Sequence, residues 1–307
     1  MAEVHHFTYG WITPVAAYGM SVLGSLLGLV CAARARETDS KGRRTAWLIL
    51  AAVAIGGTGI WLMHFLAMLG FTVPASDIRY APALTGLSAV MAIVVVGIGL
   101  FIVGFGRSSF PRILAGGLFT GFGVAAMHYT GMAAMRLDGS VGYERGLVVA
   151  SVAIAVAAAT VALWFTITLR GIVAISIAAM VMGVAVCGMH YTGMAAMRVH
   201  IAASAHPVAG AEITTFLLPM VLFSGVVLAL LLYATLSAPT VEERAADALF
   251  AGLPITRPAQ AAAQGAPGAR SGDLWHGGSP LTAAPVRPGM TETKPRPAGT
   301  GPSRPGS

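Results

Sequence analysis

Met127-His128-Tyr129-Thr130-Gly131-Met132-Ala133-Ala134-Met135-Arg136 recurs without a change at residues 189–198, and a looser copy, Met63-His64-Phe65-Leu66-Ala67-Met68, lies upstream of both. Apolar sequence tolerates almost any aliphatic side chain at a given position, so ten identical residues within it mark a constraint beyond hydrophobicity. Each copy places a histidine in the outer half of an apolar stretch, where an ionisable group is expensive and functional by default. His64, His128 and His190 are 64 and 62 positions apart, the length of one pair of helices. Gly57, Gly121 and Gly183 each stand seven positions before their histidine and hold the same register. A two-helix period restores the direction of travel, so the repeats are parallel and the three motifs share one leaflet.

The surrounding composition fits a bilayer. The 307 residues are 56% hydrophobic and 10% charged, with mean hydropathy +0.76, whereas a soluble domain is about a quarter charged. Seven apolar stretches reach the roughly 20 residues that a crossing helix needs: 11–33, 46–71, 81–105, 113–135, 146–169, 172–197 and 214–236. They are continuous rather than alternating, and rich in Ala, Leu and Gly, which makes barrel strands a poor alternative. The expectation is an all-α membrane protein of seven transmembrane helices, built as three parallel two-helix repeats plus an N-terminal helix. The motif helices should face a rough pseudo-threefold axis, with small residues allowing close approach.

Charge sets the orientation. Arg34, Arg36, Lys41, Arg43, Arg44, Arg107, Arg112, Arg170 and a basic C-terminal segment fall on one side, against Arg79, Arg136, Arg145 and Arg198 on the other. The positive-inside rule then predicts the N-terminus outside and the C-terminus in the cytoplasm, with all three motifs toward the outer face. The net charge of +7 describes loops and tail and does not point to nucleic acid. Residues 1–237 form the membrane domain; 238–307, rich in Pro, Gly, Ala and Arg, read as a disordered cytoplasmic tail with at most a short helix over 241–250.

Spacing within a motif defines its chemistry. His128, Met132 and Met135 stand at i, i+4 and i+7, one stripe of a helix, and His190, Met194 and Met197 repeat it. The first copy keeps His64 and Met68 and has Phe71 in third place. Met127 and Met189 point about a quarter turn away. Imidazole with thioether suits copper, above all Cu(I), and the absence of carboxylates disfavours hard cations. Each group also has a plainer reading. Methionine fills apolar interiors, and a buried histidine can bond a neighbouring hydroxyl or carbonyl. Tyr129, Thr130, Tyr191 and Thr192 could supply such bonds or orient a ligating ring. His5 and His6 could cap the site, and Cys187, one turn before His190, could be a soft ligand or a packing thiol. Haem held by two histidines stays open.

Other activities fall away. The two lysines, Lys41 and Lys294, lie outside every stretch, so no retinal Schiff base can form. No stretch carries Asp or Glu for a carboxylate proton pump, and metalloprotease, hydrolase-elbow and phosphate-loop motifs are absent.

The motifs beginning at Met63, Met127 and Met189 resemble the MHYT domain, a bacterial integral-membrane sensor domain named for that tetrapeptide, over roughly residues 5–237. The resemblance implies a location in the bacterial plasma membrane, copper bound through Met and His, and sensing of oxygen, carbon monoxide or nitric oxide. The implied ligands are Met63, His64 and Met68; Met127, His128 and Met132; Met189, His190 and Met194. Many members fuse the domain to a cytoplasmic enzyme of cyclic di-GMP metabolism. The expectation here is a non-enzymatic sensor whose output passes to an unknown cytoplasmic partner. The alternatives are a copper carrier or permease and a haem-binding redox protein.

Overall fold

The computed structural model describes residues 5, 7–74, 76–106, 109–201 and 207–237. The expected tail, the short helix over 241–250 and His6 lie outside these. Among the described residues, six helices are long and apolar enough to cross a membrane: α1 (Ile12–Arg36), α2 (Lys41–Met68), α3 (Pro82–Gly104), α4 (Phe110–Ala134), α5 (Arg145–Thr168) and α6 (Ile172–Ala195). A further helix, α7 (Ile213–Ser237), covers the seventh expected stretch, but it carries Pro219 and its apolar part, Ser224–Ala234, is shorter.

The starts of the helices follow local chemistry. Proline stands in the first turn of α3 and α4, where its missing N–H is no loss and its φ is already helical. Glu144 caps α5, accepting from the N–H groups of Gly146 (2.7 Å) and Leu147 (3.0 Å). Those bonds hold its carboxyl below the usual range, so this cap persists at neutral pH and fails only as acid drives the pH through that lowered pKa.

The helices pack as a closed ring in chain order, α1 to α6, with α6 returning to α1. Motif helices α2, α4 and α6 therefore alternate with α3, α5 and α1. The third repeat was expected to use its own second helix, but α1 closes the ring instead, and α7 lies against α1 and the middle of α2. Small residues make the crossings tight. A Cβ on Gly121 would collide with Val156 of α5, and one on Gly183 with Val22 and Tyr18 of α1. In α2 this role passes from the expected Gly57 to Gly56, whose Cβ would sit 2.6 Å from the Ala92 carbonyl oxygen of α3, while Gly57 meets Ile93 at an ordinary 3.6 Å. The cause is local: α2 is α-helical over Lys41–Ala52, turns into a π-helix over Val53–Leu62, and is α-helical again over Met63–Met68. The wider winding changes which glycine faces the neighbour.

The expectation of a wholly helical domain is corrected at the motif end. Short strands β1 (Arg79–Tyr80) and β2 (Met135–Arg136) pair antiparallel, as do β3 (Gly139–Tyr143) and β4 (Met197–Ile201). Two of them begin where the repeated decapeptides end, because α4 stops at Ala134 and α6 at Ala195. At the opposite end, Arg36 donates to the carbonyls of Thr166 and Leu169, satisfying acceptors that the C-terminus of α5 leaves free.

Candidate metal centre

His64, His128 and His190 meet on the axis of the ring, each about 1% exposed. Their Nδ1 atoms converge: His64 is 3.0 Å from His190 and 3.1 Å from His128, and the three nitrogens lie within 4.8 Å of one another. The rings stand edge to face, with centroids 4.9 Å apart for both pairs that involve His64 and 5.2 Å apart for His128 and His190. His64 is the hub. Among the described residues this is the one histidine, cysteine and carboxylate cluster of metal-binding size.

The residues next in sequence repeat the same geometry. Phe65, Tyr129 and Tyr191 each set a ring edge-on to their own histidine, at 4.9, 5.0 and 5.0 Å. The Tyr129 hydroxyl bonds Ser151 of α5 at 2.7 Å, and in the first repeat Trp61 donates to the corresponding Ser88 of α3 at 3.0 Å. The third repeat has no counterpart: Tyr191 faces α1, and its buried hydroxyl has no hydrogen-bond partner among the described residues. Thr192 bonds back to the Gly188 carbonyl. For His64 and His128 the plain reading, a bond to a neighbouring tyrosine or threonine, does not hold. Their Nδ1 atoms face other imidazoles, and their Nε2 atoms have no partner among the described residues.

Room for these rings comes from residues that sequence reasoning did not single out. A Cβ on Gly131 would collide with His64 Nε2, and one on Gly193 with His128 Nε2. The glycine of each exact motif is thus the seat of the preceding repeat's histidine. The signal was present, since glycine recurs three positions after histidine in both exact copies.

The methionines divide into groups. Met68, Met132 and Met194, all buried, share one apolar cluster with Met135 and Met197 on the strand side of the histidines, roofed by Phe71, Tyr80 and Val199. Met135 and Met197 reach it from β2 and β4, not as the third residue of a helical stripe. Burial raises the Tyr80 phenol above its ordinary range. Met127 and Met189 belong to the large cluster on the other side, and Met63 packs with Ala17 and Ala67, near Cys187. Cys187 is a half-buried free thiol outside the nitrogen cluster. His5 reaches this end through its backbone bond to Thr72, and its side chain is exposed.

Chemically, three imidazoles with thioethers nearby and no carboxylate among them form a soft donor set. Three nitrogens bound to one ion at about 2.0–2.1 Å lie roughly 3.3–3.6 Å apart, and the two spacings from His64, 3.0 and 3.1 Å, are a few tenths of an ångström short of that.

The architecture defines a class: a polytopic helical membrane domain whose internal repeats bring one buried histidine each to a common point. The family model for the MHYT domain, described as "Bacterial signalling protein N terminal repeat", matches residues 57–116, 121–180 and 183–242. The chain belongs to that family. It is 40% identical over 183 residues to the bifunctional diguanylate cyclase/cyclic di-GMP phosphodiesterase MucR of Pseudomonas aeruginosa, covering 58% of this chain and 26% of that protein. Over 168 residues it is 36% identical to the cyclic di-GMP phosphodiesterase NbdA of the same species, and over 173 residues 30% identical to the signaling protein YkoW of Bacillus subtilis. The matches span 53% and 54% of this chain and 21% of each of those proteins, so the chain matches about a quarter or less of its relatives' length. No solved structure matches.

Proposed function

We propose that this chain is the membrane-embedded sensing part of a bacterial signalling system. It binds one copper ion through His64, His128 and His190 and responds to a diatomic gas or to redox state. The observation that carries this reading is the convergence of three Nδ1 atoms from three repeats. Bound there, Cu(I) would supply a soft, electron-rich centre able to change oxidation state. The protein's own residues exclude water and anions, seat the imidazoles in an apolar setting, and leave a monovalent cation as the least costly charge to bury. Met68, Met132 and Met194 are the thioethers best placed to complete the donor set. Met63, Met127 and Met189, also implied by the family resemblance, sit in other clusters and serve mainly as packing.

The full topology belongs to this proposal: seven spans in the plasma membrane, N-terminus outside, the site toward the outer face. A shift in histidine spacing would change how α2, α4 and α6 pack, and the opposite face would carry that change to a cytoplasmic partner. A copper permease is a weaker reading, because the buried soft donors below the histidines, Met127, Met182, Met189 and Cys31, are few in an otherwise aliphatic interior. A haem is weaker too: imidazole nitrogens 3.0 Å apart leave no slot for a macrocycle.

The test is metal analysis with optical and electron paramagnetic spectra on purified protein, with and without nitric oxide. It is run beside the triple variant His64→Ala, His128→Ala, His190→Ala. Copper and a nitric-oxide-sensitive spectrum in the wild type alone are expected. Equal copper in both proteins contradicts the site, and a spectrum that ignores gas and redox state contradicts the sensing role.

A further inference from the structure

One helical turn below the triad lies a second feature. Ile60, Val124 and Val186, each four residues before one of the histidines, line a partly open cavity of about 50 Å³ between α2, α3, α4, α5 and α6. Val124 and Val186 stand at i, i+4 to their histidines on regular helices, Ile60 comes from the π-helical part of α2, and the three side chains form a ceiling shared by all three repeats. The rest of the lining is aliphatic apart from two thioethers, Met182 and Met189 on α6, and includes Ala155 and Ala159 on α5. The polar side chains reaching it are Thr120 and Thr166, and both hydroxyls donate to backbone carbonyls, of Val95 (3.4 Å) and Leu163 (2.7 Å), so neither has a proton left for the cavity.

A water needs two to four polar partners, and cavities that offer none stay dry and take up xenon or small hydrocarbons instead. The volume equals roughly three to five water-sized spheres at about 10–15 Å³ each. It suits a molecule of two or three heavy atoms and is far too small for an acyl chain. On one side, half-buried Ala158, Ala162 and Ala185 separate the cavity from the outer surface of α5 and α6, which also exposes Val161, Trp164 and Val184. That wall is built of methyl groups, and it faces the phase in which apolar gases concentrate.

We propose that this cavity is a binding site for a neutral, apolar molecule of dioxygen or xenon size, loaded sideways from the lipid through the alanine wall between α5 and α6. It is separate from the histidine cluster and stands on the cavity alone, whether or not a metal is bound above it.

Xenon is the probe. Protein in detergent carrying ¹³C-labelled methionine methyl groups is titrated with xenon pressure. The expected result is a saturable shift of the Met182 and Met189 methyl signals, with Met68 and Met132 unmoved. Ala159→Leu on α5 and Val96→Phe on α3 fill the cavity from different walls, and each abolishes the response. The triple histidine variant keeps it, which separates this claim from the metal reading. Wild-type signals at Met182 and Met189 that fail to move, or that move linearly without saturation, overturn the proposal. An undiminished response in both filled variants overturns it as well.

Discussion

The first repeat and the two exact repeats do the same job by different means. α4 and α6 are regular helices, each bringing a histidine, an edge-on tyrosine and a glycine seat to the axis. α2 has a ten-residue π-helical segment, phenylalanine for tyrosine, and Ala67 where the others have Gly131 and Gly193. Yet the divergent repeat supplies the hub, since His64 Nδ1 approaches both other imidazoles. The lesson is that sequence identity marks the two interchangeable arms, and divergence marks the asymmetric centre they serve. A three-part site in one chain need not be symmetric, and the π-helix is where the symmetry breaks.

Breaking the hub should have the largest effect. His64→Ala is expected to abolish copper retention under conditions that saturate the wild type. His128→Ala and His190→Ala each leave two adjacent nitrogens and should retain weak binding, measured by equilibrium dialysis. Equal losses in all three variants would remove the distinction between hub and arms.

The seats come next. Gly131→Ala pushes a methyl group into the His64 ring and Gly193→Ala into that of His128, so both should lower copper affinity by roughly 10–100-fold, the range seen when groups supporting a ligand are lost. Gly131→Ala should be the worse. Ala67→Gly, at the same motif position in α2, should leave affinity at the wild-type level, because the structure already accommodates its methyl group.

The π-helical segment can be tested by stability. Gly56→Ala forces a methyl group against the α3 backbone and should destabilise by about 1–3 kcal/mol, whereas Gly57→Ala should be neutral or slightly stabilising. Thermal unfolding in detergent reads both. Reversal of that order would mean that α2 winds as an ordinary α-helix. The smallest contrast lies in the tyrosines. Tyr129→Phe removes the bond to Ser151 and should cost about 1 kcal/mol, while Tyr191→Phe removes a hydroxyl without a hydrogen-bond partner among the described residues and should be neutral or mildly stabilising.

Much of this was readable beforehand, for physical reasons. Hydrophobic length placed α1 to α6 to within a few residues, since a bilayer admits few alternatives. The 64- and 62-residue spacing brought three histidines to one level. Interactions at short range across helices were not readable. The choice of Gly56 over Gly57 depends on winding inside α2. Closure of the ring by α1 rather than α7 depends on Gly183 meeting Val22 and Tyr18. Met135 and Met197 kept the i+7 spacing, but the helices end before them and the strand hydrogen bonds take over. Nothing in the local pattern announces a two-residue strand such as β1.

The central claim is that three repeats build one site, so the number of copper ions per chain tests it most directly. Anaerobic titration with Cu(I) in competition with a chromophoric chelator counts the tight equivalents. One per chain is the predicted result, falling to none in the triple histidine variant. Two or three equal equivalents, each lost with its own histidine, would make the repeats separate sites and contradict the account.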